Sequence, residues 1–484
     1  MINITAEDYN VLKQQYIKKY MKLELLDFQY NVVDELSGNM ISCSINVDST
    51  SDLRRSCDLS FVVTTSTFDI KSGQKLWLDK FVRPYVGYEN MRTGKIQWYN
   101  QGIYLVNNPQ WSYDAATNEI SMQALDLMSK LTGLRNGNLE GIPTKIAKDE
   151  NVREAIIKTI ELGGFTKYVC EECKTNDGTI TPVPYDIEID VGGTIYDILS
   201  QLRDIMPNYQ IYFDVDGVFH YEPIPLAKDD PVVIDDDLWP HLLISENINT
   251  DFESVKNYVE VYGHTWDVSY YSSSEDTTVE GRTITPKFAD LKELSNDTVV
   301  GITLPTAISG TESVLINFLD TFMVLDIDNK NVTNLSADTE YIFQYVIPKD
   351  GSGHFWRFMG HQQAQAISYD NNPSSPFYVG NPIGSSSIGR IRIVLYGGEY
   401  DNIYSDDLAK QRADFEIYQR SRLNDSITIE SIPIPWIDVN IVISHRFGQK
   451  TEQSKYIIKS FNIDYSTGGT MSINAITWYP YYPD

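Results

Sequence analysis

Tyr104-Leu-Val106, then Trp111-Ser-Tyr113, a turn, and Ile120-Ser-Met-Gln-Ala-Leu125 read as one β-hairpin, because apolar and polar residues alternate with the period of a half-buried strand. A second hairpin near the other end of the chain looks the same: Tyr456-Ile-Ile458, Ile463-Asp-Tyr465, a turn, and Met471-Ser-Ile-Asn-Ala-Ile476. In both, the next large apolar residue lies seven positions after the opening Tyr, and the second Tyr nine positions after it. Ser121 matches Ser472, Ala124 matches Ala475, and the second turn is one residue shorter. Period-2 strands resemble one another by chance, so the weight rests on the shared order of these features. A duplication of this kind predicts two related β-barrels, one near each end.

Outward from the first hairpin, strands are expected at Met40–Val47, Cys57–Val63, Leu76–Val82 and Ile96–Val106, with turns at Arg92-Thr93-Gly94 and Asp114–Asn118. Closely spaced strands joined by turns argue for a sandwich or barrel. Ahead of them, Thr5 and Asp8 have capping-box spacing, and Tyr9, Leu12, Tyr16 and Tyr20 recur at helical spacing, which predicts a helix over roughly 6–20. Leu134–Gly141 reads as a linker. Beyond it, Val152, Ala155, Ile156 and Ile160 mark one helical face that stops at Gly163-Gly164. A second helix is capped by Thr194 with Asp197 three residues on, and Pro207 ends it. Tyr209–Val215 and Val218–Glu222 flank Asp216-Gly217, a strong hairpin signal.

Further along, Val255–Tyr262 alternates, Ser269–Thr278 is polar and reads as a mobile loop, and 283–368 is β-like with a mixed segment near Phe355–Gln365. Asp370-Asn-Asn-Pro-Ser-Ser-Pro376 breaks that pattern. A helix with a poor apolar stripe is expected at about 405–423, and closing strands at 426–432, 437–445, 455–465 and 470–478.

At 484 residues the length prior is about three domains, long enough for apolar cores without a disulfide or metal staple. Tyrosine is over-used, with 32 copies, and suits half-buried strands and wet interfaces. Lys+Arg number 39 against 67 Asp+Glu, a net charge of −28. Such a chain does not coat itself on nucleic acid or an anionic membrane, since both need Lys and Arg. The excess serves solubility, or keeps a passing polyanion from sticking. The first residues, Met1–Asp8, lack the regions of a signal peptide, and no apolar run approaches the ~20 residues of a membrane span. Synthesis in a cytoplasm is the expectation. Four cysteines, Cys43, Cys57, Cys170 and Cys173, are too few for a disulfide framework.

Catalytic signatures are missing. There is no phosphate-binding Gly-rich loop, no His-Glu-x-x-His and no Gly-x-Ser-x-Gly. Cys170-Glu-Glu-Cys173 is a lone pair where zinc wants a second pair or two spaced histidines. Asp214-Val-Asp-Gly217 fails as a calcium loop, because Tyr212 and Pro223 fall at the outer ligand positions. Asp229-Asp230 and Asp235-Asp236-Asp237 could hold a cation, but a solvated acidic loop explains them better. Paired carboxylates for glycoside hydrolysis need no fixed spacing, so the sequence names none. His354 and His361 flank Phe355, Trp356 and Phe358, which fit core aromatics better than a ligand site. No catalytic, cofactor-binding or metal residue is assigned, and no cofactor is expected.

Several stretches together resemble the baseplate or tail-tip hub proteins of tailed phages, including those of Gram-positive prophages and related contractile injection systems. They are Ile45–Arg55, Gly192–Leu199 with the Tyr-rich hairpin after it, Asn257–Gly263, Asn372–Phe377, Ile432–Trp436 and Gly468–Ala475. None is a catalytic motif, and their order along the chain carries the likeness, which covers most of the chain outside about 283–365. The resemblance implies a homotrimer whose two tube-like barrels per chain match a six-fold tube above to a three-fold tip below. It implies as partners the tail tube or distal tail ring, a tip, spike or fibre protein, and a tape-measure protein, with DNA only in passage and a place in the virion tail.

The expected fold is mainly β with an α+β insert. Residues 1–21 form an N-terminal helix, 22–133 the first tube-like barrel and 142–225 an α+β module. The second barrel is split over 226–267 and 390–484, around an inserted β-rich domain at 283–368. Two rival readings stay open: a receptor- or carbohydrate-binding tail protein, with Tyr341 and Trp356 as sugar-stacking types, and a tail-associated cell-wall hydrolase.

Overall fold

The computed structural model describes residues 5–37, 40–63, 69–139, 144–174, 178, 180–184, 186–206, 209–224, 232–234, 236–296, 298–348, 353–380, 388–448 and 453–478. The chain is mainly β. Helix α1 (Ala6–Leu12) is followed by β1 (Lys19–Leu26), β2 (Val32–Ser37), β3 (Met40–Asp48), β4 (Arg55–Val62), β5 (Phe81–Glu89), β6 (Ile96–Asn100), β7 (Tyr104–Tyr113) and β8 (Asn118–Asp126). After the α+β module come β14 (Val232–Ile234), α4 (Trp239–Leu242) and β15 (Leu243–Asp251). The last strands are β27 (Asn424–Ser431), β28 (Val442–His445), β29 (Ser454–Asp464) and β30 (Met471–Thr477). Together these fourteen strands make one sheet, ordered β15-β27-β30-β29-β3-β4-β8-β7-β5-β1-β2, with β6 on β5, and with β28 joining β14 to β29.

Three local expectations change. The N-terminal helix stops at Leu12 rather than near residue 20. Val11 and Leu12 are fully buried, and Tyr20 belongs to β1, which pairs along its whole length with β5. Long-range pairing here outweighs helical spacing. The strand expected at Leu76–Val82 starts only at Phe81. The single strand expected over Ile96–Val106 breaks at Gln101-Gly102, where Gly102 has φ +123° and a Cβ would press on the Tyr104 ring at 2.9 Å.

The α+β module contains β9 (Thr144–Ile146), α2 (Val152–Leu162), β10 (Tyr168–Cys170), β11 (Ile187–Ile189), α3 (Ile195–Asp204), β12 (Tyr209–Phe213) and β13 (Phe219–Pro223). The capping box at α3 is present: Thr194 N–H donates to the Asp197 carboxylate at 2.7 Å, and Asp197 N–H to Thr194 Oγ1 at 3.2 Å. Asp216-Gly217 turns the β12–β13 hairpin, with Gly217 at φ +74°.

Between β15 and β27 the chain makes two further sheets. The larger contains β17 (Tyr270–Ser272), β18 (Thr278–Glu280), β19 (Thr283–Thr285), β20 (Val299–Thr303), β21 (Leu315–Phe318), β22 (Asp320–Leu325), β23 (Glu340–Val346) and β24 (Phe355–Gly360). The loop expected at Ser269–Thr278 thus holds a strand, β17, paired in parallel with β20, and the mixed segment near Phe355–Gln365 is the β24 strand, the His361-Gln362 turn and the start of the next strand at Gln363. The smaller sheet is β25 (Gln363–Tyr369), β16 (Tyr258–Thr265) and β26 (Arg392–Leu395), covered by helix α5 (Asp406–Arg420). Residues 258–265, 392–395 and α5 were expected within the second barrel; they pack instead as this separate layer. The poor stripe of α5 has a cause. Leu408, Ala409 and Ala413 are buried with Glu416, and Glu416 is paired to Arg412 at 3.0 Å and Arg420 at 2.8 Å.

Candidate assembly interface

Strand order within the large sheet repeats. One half runs β3-β4-β8-β7-β5-β1, and the other β15-β27-β30-β29-β28-β14. The equivalent strands also follow one another in the same order along the chain. Registers agree residue by residue. Ala124 lies opposite Cys57 and Val106, and Ala475 opposite Ile427 and Ile458. Tyr104 lies opposite Val82, and Tyr456 opposite Ile443. Each hairpin carries a register shift, after Asn107 in one and after Ile458 in the other. The outermost equivalents differ in sense, since β1 runs antiparallel to β5 whereas β14 runs parallel to β28.

This alignment makes β3 the equivalent of β15: Ile45-Asn46-Val47-Asp48 falls on Ile248-Asn249-Thr250-Asp251. Both aspartates end their strand the same way, Asp48 Oδ1 accepting from Thr50 N–H and Asp251 Oδ1 from Glu253 N–H, each at 2.8 Å.

The halves meet where β29 pairs with β3, from Ser460 opposite Asp48 to Asp464 opposite Ser44. Phe461 and Ile463 face Val47 and Ile45, and all four are at most 2 % exposed, each worth about 1.5–3 kcal/mol of apolar burial. Tyr465 N–H donates to the Cys43 carbonyl at 2.9 Å and Tyr465 OH to Gln101 Oε1 at 2.8 Å. The Ile432–Trp436 stretch crosses onto the first half: Trp436 lies between Tyr9 and Tyr99, and the Pro433 carbonyl accepts from Tyr88 OH at 2.7 Å. A single apolar core therefore serves both halves.

A buried polar junction adds the α+β module. Arg55, 5 % exposed, pairs with Asp438. Arg54, 7 % exposed, reaches Asp438 at 3.5 Å, the Val439 carbonyl at 3.2 Å and Gln210 Oε1 at 3.1 Å. Its guanidinium lies 3.9 Å from the Tyr212 ring centroid. Asn440 donates to the same Gln210 oxygen at 2.7 Å. Burial would raise the Asp438 carboxyl, but Arg55 and Arg54 outweigh it and hold the group below the usual range. Behind Tyr212, His220 bridges Asp214 at 3.1 Å and Glu222 at 3.2 Å. Burial alone would lower its pKa; the two carboxylates outweigh that and lift it to about 9.

The residues singled out in the sequence lie elsewhere and apart. Cys170 ends β10 and Cys173 is buried. Burial pushes both thiols up to about 12. Among the described residues no three His, Cys, Asp or Glu side chains gather as a metal site. Asp214 Oδ1 accepts from Asp216 and Val218 N–H, each at 2.9 Å, as a hairpin residue does. Asp229, Asp230 and Asp235 lie outside the described residues, while Asp236 pairs with Arg446 at 3.2 Å. His354 bonds Tyr345 OH at 2.6 Å before β24. His361, after it, bonds Asp406 at 2.6 Å, so the two histidines share no site. Trp356 is fully buried and Tyr341 8 % exposed, which removes Trp356 as a sugar platform. Arg54 and Arg55 were visible only as part of a pattern. Asp438 carried no signal, because it meets Arg55 across a separation of 383 residues.

Residues 375–482 match a family described as a domain of unknown function, DUF5048. No curated protein matches the chain. Among solved structures, the chain is similar to the 43 kDa tail protein of prophage MuSo2 from Shewanella oneidensis at 10 % identity, with a TM-score of 0.47 over 95 % of this chain and 98 % of that one. It is similar to a tail protein from Neisseria meningitidis at 9 % identity and TM-score 0.47, over 95 % and 96 %. It is also similar to prophage tail protein gp18 from Listeria monocytogenes at 8 % identity and TM-score 0.41, over 94 % of each chain. All three are described as tail proteins.

Proposed function

We propose that this chain is the structural hub of a phage or phage-derived tail, acting by assembly rather than by catalysis. The observation that carries the reading is the duplication: six strands in one order, twice, joined through a buried internal seam. A chain of two equivalent halves is suited to a mismatch of symmetry. Three copies present six equivalent elements to a six-fold tube and three equivalent chains to a three-fold tip. The partners are then further copies of the chain, the tail tube or distal tail ring above, and a tip, spike or fibre protein below, with a tape-measure protein in the channel. An excess of acid at −28 per chain suits a lumen past which DNA slides without adhering. No helix among the described residues is long and apolar enough to cross a membrane.

The test is the native mass by light scattering across a concentration series, at tail-protein concentrations and with the distal tail ring added. A three-fold multiple of 55.2 kDa, with a central channel in micrographs, is expected. A stable two-fold multiple overturns the reading, since two-fold symmetry does not fit a six-to-three junction.

A further inference from the structure

A cavity of about 520 Å³ opens where the α+β module meets the larger inserted sheet, a volume that suits a small ligand. The module contributes Lys148 and Asp149, and the sheet contributes Leu325, Val346, Phe355 and Arg357. Phe355 and Arg357 stand two apart on β24, so their side chains share a face, and Val346 and Gln344 lie opposite them on β23. Further along that face, Ile342 and Met359 are covered by the layer that carries α5. The cavity uses the other end, where β23 finishes and β24 starts.

Arg357 is the group this wall leaves unmet. It is 6 % exposed, and a guanidinium carries five N–H donors. Nη1 donates to Asp149 at 3.1 Å. Nε is buried without a hydrogen-bond partner, and so is Oε1 of Gln344 opposite. Asp149 is itself shared, with Lys148 at 3.9 Å from its second oxygen. Asp186 and Asp328 do not line the cavity and are paired to Lys145 at 2.5 Å and to Lys330 at 3.1 Å. A buried donor on a charged group costs more to leave unmet than one on a neutral group, so the site favours an occupant that accepts from it.

We propose that this cavity binds a carboxylate carried on a small apolar body. Asp149 takes Nη1, which leaves the edge made by Nε and Nη2. That edge presents two parallel N–H groups at the spacing of the two oxygens of a carboxylate. A phosphate dianion fits less well, because it brings a second negative charge beside Asp149. Leu325, Val346 and Phe355 supply apolar wall for the body of the ligand, and the guanidinium lies 5.6 Å from the Phe355 ring centroid. An N–H or O–H next to the carboxylate would meet Gln344 Oε1. Both a free acid and the end of a polypeptide carry this chemistry. The inference goes beyond the hub reading and does not rest on it, since every residue it uses belongs to one chain.

The test titrates the full chain with 3-phenylpropanoate, its neutral amide and inorganic phosphate, each followed by the NMR signals of the ligand. The acid is expected to bind with a Kd of about 1 mM or below, and the amide and phosphate at least about tenfold more weakly. Arg357→Gln should weaken the acid to the level of the amide. That variant also takes a partner from Asp149, so Gly353→Phe stands beside it. Gly353 lines the cavity, and a Cβ there meets no atom within 4 Å; the added ring should abolish binding with the melting temperature unmoved. N-acetylphenylalanine separates the two sources: tighter binding than 3-phenylpropanoate identifies the end of a polypeptide, and equal or weaker binding a free acid. No binding of the acid up to about 10 mM overturns the proposal and leaves ordered water as what meets Arg357. Equal binding of acid and amide, or of acid and phosphate, overturns the carboxylate as ligand. Acid binding unchanged in folded Arg357→Gln or in Gly353→Phe overturns the site.

Discussion

Replacing Asp438 by Ala removes the carboxylate that neutralises two guanidiniums. Arg54 and Arg55 are 7 % and 5 % exposed, and neither can lose its proton at neutral pH. Taking one partner from a buried ion pair costs about 3–5 kcal/mol, mostly the penalty of an uncompensated buried charge. Two features place the expected loss near the lower end. The Asp438 side chain keeps 20 % exposure, so water reaches the vacated space. Arg54 also retains the Val439 carbonyl and Gln210. The assay is urea unfolding followed by the fluorescence of the eight tryptophans, of which Trp436 lies two residues from the junction and is buried. A fall in midpoint equivalent to about 3 kcal/mol at unchanged slope is expected. It should persist between 0.1 and 1 M salt, because buried pairs are weakly screened. The Asp438 carboxyl titrates below its unfolded value, so its contribution is full above the unfolded pKa and fades as pH falls through the folded one; the variant should lose that part of its acid sensitivity. A loss under about 1 kcal/mol, or one that vanishes in salt, would falsify the junction as a buried tie between the halves.

His220 gives the opposite pH dependence. Its folded pKa of about 9 lies above the unfolded value near 6.5, so its stabilisation is complete below about pH 6.5 and disappears as pH rises through 9. Allowing for solvent screening it is worth about 1–2 kcal/mol; melting curves from pH 6 to 10 should show the loss, and His220→Gln should flatten it. Trp356→Ala empties a fully buried site in the inserted sheet and should cost about 3–5 kcal/mol, read by calorimetry; a loss below 1 kcal/mol would mean the ring lies outside the core. Gly360 has φ +88°, and a Cβ there would meet the Asp406 carboxylate at 2.1 Å. Gly360→Ala should therefore lower stability by about 1–3 kcal/mol, and an unchanged melting temperature would contradict the turn as described.

What the sequence made legible was local. The capping boxes at Thr5 and Thr194, the Asp216-Gly217 hairpin and the two echoing hairpins each involve residues within about twenty positions, and each forms. Alternation over Val255–Tyr262 pointed to a strand, which forms at Tyr258–Thr265, but not to the sheet it joins, because period 2 fixes the face and not the neighbour. The N-terminal helix was overextended for the same reason: Tyr16 and Tyr20 keep helical spacing, yet β1 is decided by β5, some sixty residues on. The junction was out of reach altogether. Arg55 and Asp438 are brought together only by the seam between the halves, and the seam depends on the duplication having been recognised first.

The same duplication accounts for where the extra layers lie. The turn after β3 spans only Ser49–Arg54 before β4 begins, while its equivalent after β15 spans 252–423 before β27. Both leave their strand through an aspartate that accepts an N–H two residues on, so the insertion begins beyond an exit that the two halves share and leaves the register of the strands intact. Its ends return to neighbouring strands: Lys256 N–H donates to the Arg420 carbonyl at 3.0 Å, closing the insert at its base. A long insertion at such a loop costs little closure entropy once its ends are held together. Two halves of the same strand order thus keep the same register while only one carries additional mass. In an assembly of alternating halves, that mass would recur at every second position, turning six equivalent elements into three.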